Sequence, residues 1–184
     1  MSEKISKKIL RMIGWQITND VPNLPQKYIV VIAPHTSIFD FIIGWFGFMN
    51  LGIKPKIIIK KEFFWFPLGL LLKKLGAIPV DRSNSARFVK DIISEIKQNE
   101  KFVLAITPEG TRKRTIKWKR GAITIADSAN IPIAIGYLDY KKKKGGIIDL
   151  IYTSANPSDD MIKIKSYYTD VSGKYPKNFT TGLK

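Results

Sequence analysis

Tyr28-Ile-Val-Val-Ile-Ala33-Pro34-His35-Thr-Ser-Ile-Phe-Asp40 changes its pattern at a single proline. Residues 28–33 are a short β-branched run, the composition of a buried strand. Pro34 disfavours helix at Ala33, and Thr36 or Ser37 can cap a helix running on through Phe41, Ile42, Trp45 and Met49. His35 is the only histidine of the chain. Imidazole moves protons near neutral pH, and a carboxylate such as Asp40 can hold its tautomer. Residues five apart in one helix point about 140° apart and do not meet. Contact therefore requires His35 in the strand-to-helix turn and Asp40 in the first helical turn, where the helix dipole favours a carboxylate. Strand ends of this kind are where α/β folds place their chemistry. A lone histidine near an aspartate is also an ordinary structural pair, so the pair alone decides nothing.

Outward from this unit, strands and helices alternate. Residues 3–17 read as a basic amphipathic helix, with Ile5, Ile9, Met12 or Ile13 and Gln16-Ile17 opposite Lys4, Lys7, Lys8 and Arg11. Trp15 near its end suits an interfacial anchor; packing on the body of the domain is the equal alternative. Residues 19–26 are a linker. Strands are expected at 56–60, 77–80, 102–106, 131–138 and 147–152. Helices are expected at 64–75 (stopped by Gly76), from a cap at Ser83 or Asn84 through Gln98, after Arg120 through Ala129, and from Ser158 to about Tyr168. Lys141-Lys-Lys-Lys-Gly-Gly146 is a hairpin tip. The pattern predicts one α/β domain with a central mixed, largely parallel sheet flanked by helices. The expected organisation is an N-terminal amphipathic helix over 1–20, a domain over 27–170 and a polar tail over 171–184.

Composition narrows the function. With no cysteine and one histidine, disulfides, thiolate nucleophiles and zinc–thiolate sites are excluded, and no metal site is expected. The N-terminus shows no apolar core ahead of a small-residue cleavage site, so no signal peptide is expected. Thirty-one Lys and Arg against fifteen Asp and Glu give a formal charge of +16, which suits an anionic partner. The aromatics cluster with aliphatics, as in Phe63-Phe-Trp-Phe-Pro-Leu68. A single-strand nucleic-acid binder interleaves them with basic residues instead, so nucleic acid is disfavoured and an anionic membrane surface favoured. No run reaches the roughly eighteen apolar residues of a membrane span.

Two further constellations follow strands. Gly76-Ala-Ile-Pro-Val-Asp-Arg82 and Thr107-Pro-Glu-Gly-Thr-Arg112 each deliver an arginine, whose planar fork suits phosphate or carboxylate. Gly110 lets backbone approach a ligand, Thr111 adds a hydroxyl, and Glu109 can orient an arginine or accept from a substrate hydroxyl. Surface ion pairs are the plain alternative for each loop.

Together these blocks resemble the glycerolipid acyltransferase family, typified by 1-acyl-sn-glycerol-3-phosphate acyltransferases. His35 and Asp40 match its His-x4-Asp block. Gly76, Ile78, Asp81 and Arg82 match Gly-x-Ile-x-x-Asp-Arg, and Pro108–Arg112 matches Pro-Glu-Gly-Thr-Arg in full. Ile131-Pro132-Ile133 matches a fourth, apolar block, and Lys61, Phe64 and Pro67 lie where the family often has Lys-x-x-Leu/Phe-x-x-x-Pro. Thr107 departs from the phenylalanine that many members carry.

The resemblance implies acyl transfer from a thioester, on acyl carrier protein or coenzyme A, to a lysophospholipid hydroxyl, with no further cofactor. His35 would be the base and Asp40 its orienting carboxylate. Arg82, Arg112 and Lys61 would hold the acceptor phosphate, with Glu109, Gly110 and Thr111 shaping that pocket. It also implies a peripheral or monotopic place on the cytoplasmic face of a membrane. A different lyso-lipid acceptor, an ester hydrolase using the same pair, and a binding-only basic module remain open on sequence.

Overall fold

The β-branched run beside His35 becomes the middle strand of a seven-stranded sheet. A computed structural model describes residues 3–81 and 84–183. The strands are β1 (Gln16–Asn19), β2 (Lys27–Ala33), β3 (Lys56–Lys60), β4 (Ala77–Val80), β5 (Phe102–Ile106), β6 (Ile133–Asp139) and β7 (Lys144–Ile151), in the order β1-β7-β6-β2-β5-β3-β4. The helices are α1 (Glu3–Met12), α2 (Phe39–Asn50), α3 (Leu68–Lys74), α4 (Ser85–Gln98), α5 (Gly121–Ala129) and α6 (Pro157–Ser166). Strand β2 runs parallel to β5 and β6, β3 parallel to β5 and β4, and only the β6–β7 pairing is antiparallel. The sheet is mixed and largely parallel, as the alternation predicts.

Alternate residues of β2 serve two cores. Ile29, Val31 and Ala33 pack with Ile92 and Ile96 of α4, the apolar side of α5 and Ile164 of α6. Tyr28 and Val30 pack with Phe48 of α2 on the other face. A strand apolar on both faces must be covered on both, which is why the sequence shows a continuous run there. Tyr168 ties the first core to the sheet: fully buried, its hydroxyl lies 2.9 Å from Val31 O and 3.0 Å from Gly136 O.

Three local expectations are corrected. Helix α1 stops at Met12, and Gln16-Ile17 belong to β1, parallel to β7. Gly14, at φ +80°, is the stop signal. Its N–H donates to Arg11 O and that of Trp15 to Leu10 O, the paired bonds of a Schellman cap. Trp15 is consequently turned inward and buried, edge-on to Tyr140, rather than standing at an interface. Helix α3 begins at Leu68 rather than 64, because Pro67 keeps Phe66 out of helical backbone; Lys61–Phe63 form a separate 3-10 turn. Asn156, not Ser158, caps α6, accepting from the Ser158 N–H, with Pro157 in the first turn. At α4 the cap is Asn84, which accepts from Arg87 N; Ser83 lies outside the described residues.

Residues 171–183, the stretch expected as a tail, run back over the end of the sheet where β2 finishes. Ser172 O accepts from Tyr140 N, Tyr175 N donates to Thr36 Oγ1, and Thr180 O accepts from Trp118 Nε1. Gly173 sits so close that a Cβ there would lie 2.8 Å from Thr36 Oγ1.

Tyr168→Phe keeps the ring and removes the hydroxyl, leaving two strand carbonyls without this donor. The expected loss is about 2 kcal/mol, a fall of about 5 °C in Tm for a domain of this size. Thermal unfolding followed by circular dichroism measures it; an unchanged Tm would remove Tyr168 from the account of how the last helix holds the sheet.

Candidate active site

Because β2, β5 and β6 are parallel and in register, their C-terminal ends open on one side of the sheet. His35 follows β2, Glu109 follows β5 and Tyr140 follows β6. Asp40 reaches the same point from the first turn of α2. His35 Nδ1 lies 3.3 Å from Asp40 Oδ2, with the imidazole 23% exposed and the carboxylate 5% exposed. This is the arrangement that the five-residue spacing requires.

Asp40 is the most heavily bonded side chain of the site. Its Oδ2 accepts from Thr36 N at 2.7 Å and Ser37 N at 2.8 Å in addition to facing His35, and its Oδ1 accepts from Tyr140 Oη at 2.7 Å. The expected cap is thus largely reversed. Ser37 Oγ does accept from Phe39 N, but the carboxylate of the first turn binds back onto the amides that precede the helix. Burial by itself raises the Asp40 carboxyl. The bonds from His35, Tyr140, Ser37 and Thr36 outweigh it and hold the group below its ordinary value, charged at neutral pH.

Among the described residues Glu109 pairs with no arginine. It is buried, and its Oε1 accepts from His35 N at 2.8 Å, fastening the turn after β2 to the loop after β5. Its Oε2 has no hydrogen-bond partner among the described residues. Burial pushes this carboxyl up to about 7 against only partial relief from backbone N–H groups, chiefly its own and that of His35.

The other expected residues surround this centre. Gly110 adopts φ +62°, a conformation that suits glycine. Thr111 Oγ1 accepts from Lys113 N and so shapes its own loop. Arg112 and Lys61 are exposed, on loops after β5 and β3 at the same end of the sheet, and neither pairs with a carboxylate among the described residues. Arg82 lies outside the described residues, beyond Asp81 at the end of β4. Tyr140 was missed by sequence reasoning, because nothing local distinguishes a tyrosine at the foot of a lysine-rich turn. Among the described residues no group of three or more His, Cys, Asp or Glu is placed to hold a metal ion.

What the arrangement can do is take a proton. Asp40 holds Nδ1, so the proton of a neutral imidazole is drawn to that nitrogen and Nε2 is left as the acceptor.

Known proteins resemble the chain in sequence and in fold. The family model described as Acyltransferase matches residues 16–135. The chain is 34% identical over 137 residues to a 1-acyl-sn-glycerol-3-phosphate acyltransferase of Bacillus subtilis, across 69% of this chain and 64% of that one. It is 27% identical over 141 residues to a probable 1-acyl-sn-glycerol-3-phosphate acyltransferase of Mycoplasma pneumoniae, across 66% and 50% of the two chains. It thus spans between half and two thirds of the length of these curated relatives. The crystal structure of a 1-acyl-sn-glycerophosphate (LPA) acyltransferase from Thermotoga maritima superposes with a TM-score of 0.63 at 16% identity, over 90% of this chain and 74% of that one, which shows a shared fold.

The raised Glu109 carboxyl has a measurable sign. Between pH 4.5 and about 7 the folded protein holds a proton on Glu109 that the unfolded chain releases. Its contribution to stability is therefore complete below 4.5 and lost as pH rises through about 7. Glu109→Gln cannot titrate. Across that window the variant should gain up to about 3 kcal/mol relative to the native chain. Urea midpoints at several pH values test this; parallel curves would show that Glu109 stays charged in the fold.

Proposed function

The chain belongs to the acyltransferase family, and on that footing we propose that it moves a fatty acyl group from an acyl thioester to a lysophospholipid hydroxyl. The first acceptor is 1-acylglycerol-3-phosphate, the product phosphatidic acid, and the donor is carried on acyl carrier protein or coenzyme A. The observation that carries the reading is the His35–Asp40 contact of 3.3 Å in a strand-end loop, with the imidazole still partly open. The names of the relatives above support the acceptor class, and the family resemblance implies the thioester donor.

In this mechanism the acceptor hydroxyl is the nucleophile, so the protein needs a base and no nucleophile of its own. His35 Nε2 takes the hydroxyl proton as the oxygen attacks the thioester carbonyl. Asp40, kept charged by its four donors, stabilises the imidazolium. The tetrahedral intermediate collapses, the carbon–sulfur bond breaks, and the imidazolium returns its proton to the leaving thiolate. Ester and free thiol are the products. Arg112 and Lys61, both exposed and without a carboxylate partner among the described residues, are the proposed phosphate contacts, together with Arg82. Gly110 and Thr111 shape the loop that presents Arg112. Glu109 serves by holding the His35 backbone.

The acceptor is a membrane lipid, and exposed apolar side chains on loops and helices near the site fit a bilayer. Phe39 and Ile42 of α2, Phe63, Trp65 and Phe66 before α3, and Leu70 and Leu71 on it are exposed, Phe66 by 81%. Helix α1 buries Ser6 and Leu10 against the domain and leaves Ile5 and Met12 outside. Lys60, Lys61, Lys73 and Lys74 flank the second group, all exposed. No helix among the described residues is long and apolar enough to cross a membrane. We place the protein on an anionic membrane surface, at the cytoplasmic face, as a peripheral or monotopic protein.

Two measurements test the reading. Labelled acyl thioester and lysophosphatidic acid in detergent should yield phosphatidic acid with the native chain, and His35→Ala should lose it by roughly 10²–10⁴-fold. Equal product from both would sink the base; product only from another lyso-lipid would move the acceptor. For the surface, Phe66→Asp should weaken co-sedimentation with anionic phospholipid vesicles about tenfold while leaving folding intact. Unchanged binding would place the contact elsewhere.

A further inference from the structure

Asp40 cannot orient His35 unless something orients Asp40. Among the described residues, two backbone amides and His35 all meet Oδ2, and Oδ1 is met by the Tyr140 hydroxyl at 2.7 Å. From these contacts we infer that Tyr140 is a positioning residue of the active site, fixing the rotation of the Asp40 carboxylate and setting how strongly it draws on His35.

The phenol is itself held on three sides. Its backbone N–H donates to Ser172 O at 2.8 Å, so the returning C-terminal segment fixes its main chain. The Trp15 ring stands against it edge-on, 5.0 Å between centroids at 85°. Leu10, Ile43 and Leu138 complete the small cluster around both rings. The hydroxyl thus donates to Asp40 from a fixed ring. Burial and the neighbouring Asp40 charge hold the phenol far above its ordinary value, so it stays a donor throughout the working range of pH.

The chemistry has a sign. A hydroxyl donating to Oδ1 draws negative charge from the carboxylate and moderates its pull on the imidazole. Without it Asp40 is a stronger acceptor, the imidazolium is favoured, and the free base form of His35 is reached only at higher pH. The other groups facing this centre are Glu109, whose carboxyl accepts from His35 N, and the Tyr175 phenol near Tyr140. Lys174 Nζ lies 3.5 Å from the centroid of the Phe39 ring. Tyr140→Phe leaves all of them in place.

The single histidine makes the test direct. In the tag-free 184-residue chain the imidazole nitrogen resonances belong to His35 alone, and their pH titration needs no substrate. Tyr140→Phe should move that titration to higher pH. 3-Fluorotyrosine at position 140, a stronger donor of the same shape, should move it to lower pH and covers the case in which the phenylalanine variant does not fold. An unmoved titration in either folded protein overturns the inference. The turnover consequence rests on the acyl-transfer reading above. There Tyr140→Phe should lower kcat about tenfold with KM little changed, and carry the acid limb of the rate profile upward. A loss of kcat with the titration unmoved would mark a merely structural role and also overturn it. Titrations that shift in a protein without acyl transfer would uphold Tyr140 and reject the reaction.

Discussion

The site exists because β5, β2 and β6 are parallel neighbours in register. Parallel strands end together, so the chain leaves the sheet three times along one edge, and each exit is free of the ladder that fixes the residues before it. His35 follows the first of these strands in sequence, Glu109 the second and Tyr140 the third. A shift of one residue in either pairing would reverse which core the alternating side chains of β2 serve. Ile29 and Val31 on one face and Tyr28 and Val30 on the other are almost wholly buried against different neighbours, so such a shift would force each set into a core shaped for the other. The catalytic geometry is therefore held by hydrophobic burial in the sheet before any polar contact at the site is counted.

Two buried carboxylates then stand beside one imidazole, and the structure treats them oppositely. Both are about 5–7% exposed as residues, so burial disfavours the charge on each. Among the described residues, Asp40 receives donors on both oxygens, while Glu109 receives one cross-loop donor on Oε1 and none on Oε2. The count of donors settles the outcome: Asp40 falls below its ordinary range while Glu109 rises to about 7. The division makes functional sense. A histidine base benefits from one fixed negative charge at Nδ1. A second full charge at its backbone would cost desolvation and contribute little orientation beyond the bond that Glu109 makes through Oε1.

Legibility followed the range of the interactions. The strands of the parallel core announce themselves as β-branched runs because both faces are covered. The His-to-Asp spacing implied its own turn geometry because only one local conformation closes it. Strand β1 was hidden: Gln16-Ile-Thr-Asn19 is too short and polar to show a strand pattern, and its partner is β7, far along the chain. Gly14 did carry a usable signal, since a glycine just past an amphipathic stretch marks a helix stop. The bond that Glu109 makes was not anticipated, and Tyr140 was missed, for another reason. One bonds a backbone amide 74 residues away, the other a carboxylate 100 residues away. A backbone amide has no residue identity, so a bond to it leaves no trace in spacing or composition.

Helix α1 shows how little sequence separates an outer surface from the catalytic carboxylate. Its Ser6 and Leu10 are buried while Ile5 and Met12 are exposed, so one short helix has a buried side and an exposed apolar side. The Schellman cap at Gly14 turns the chain through its next residue, Trp15, into the interior, where the indole meets Tyr140. Tyr140 meets Asp40, and Asp40 meets His35. Each link is a packed or hydrogen-bonded contact between residues with little room to move, and Leu10 of the helix belongs to the same cluster as Trp15. A force on the outer face of α1 would thus reach the Asp40 carboxylate through two rings.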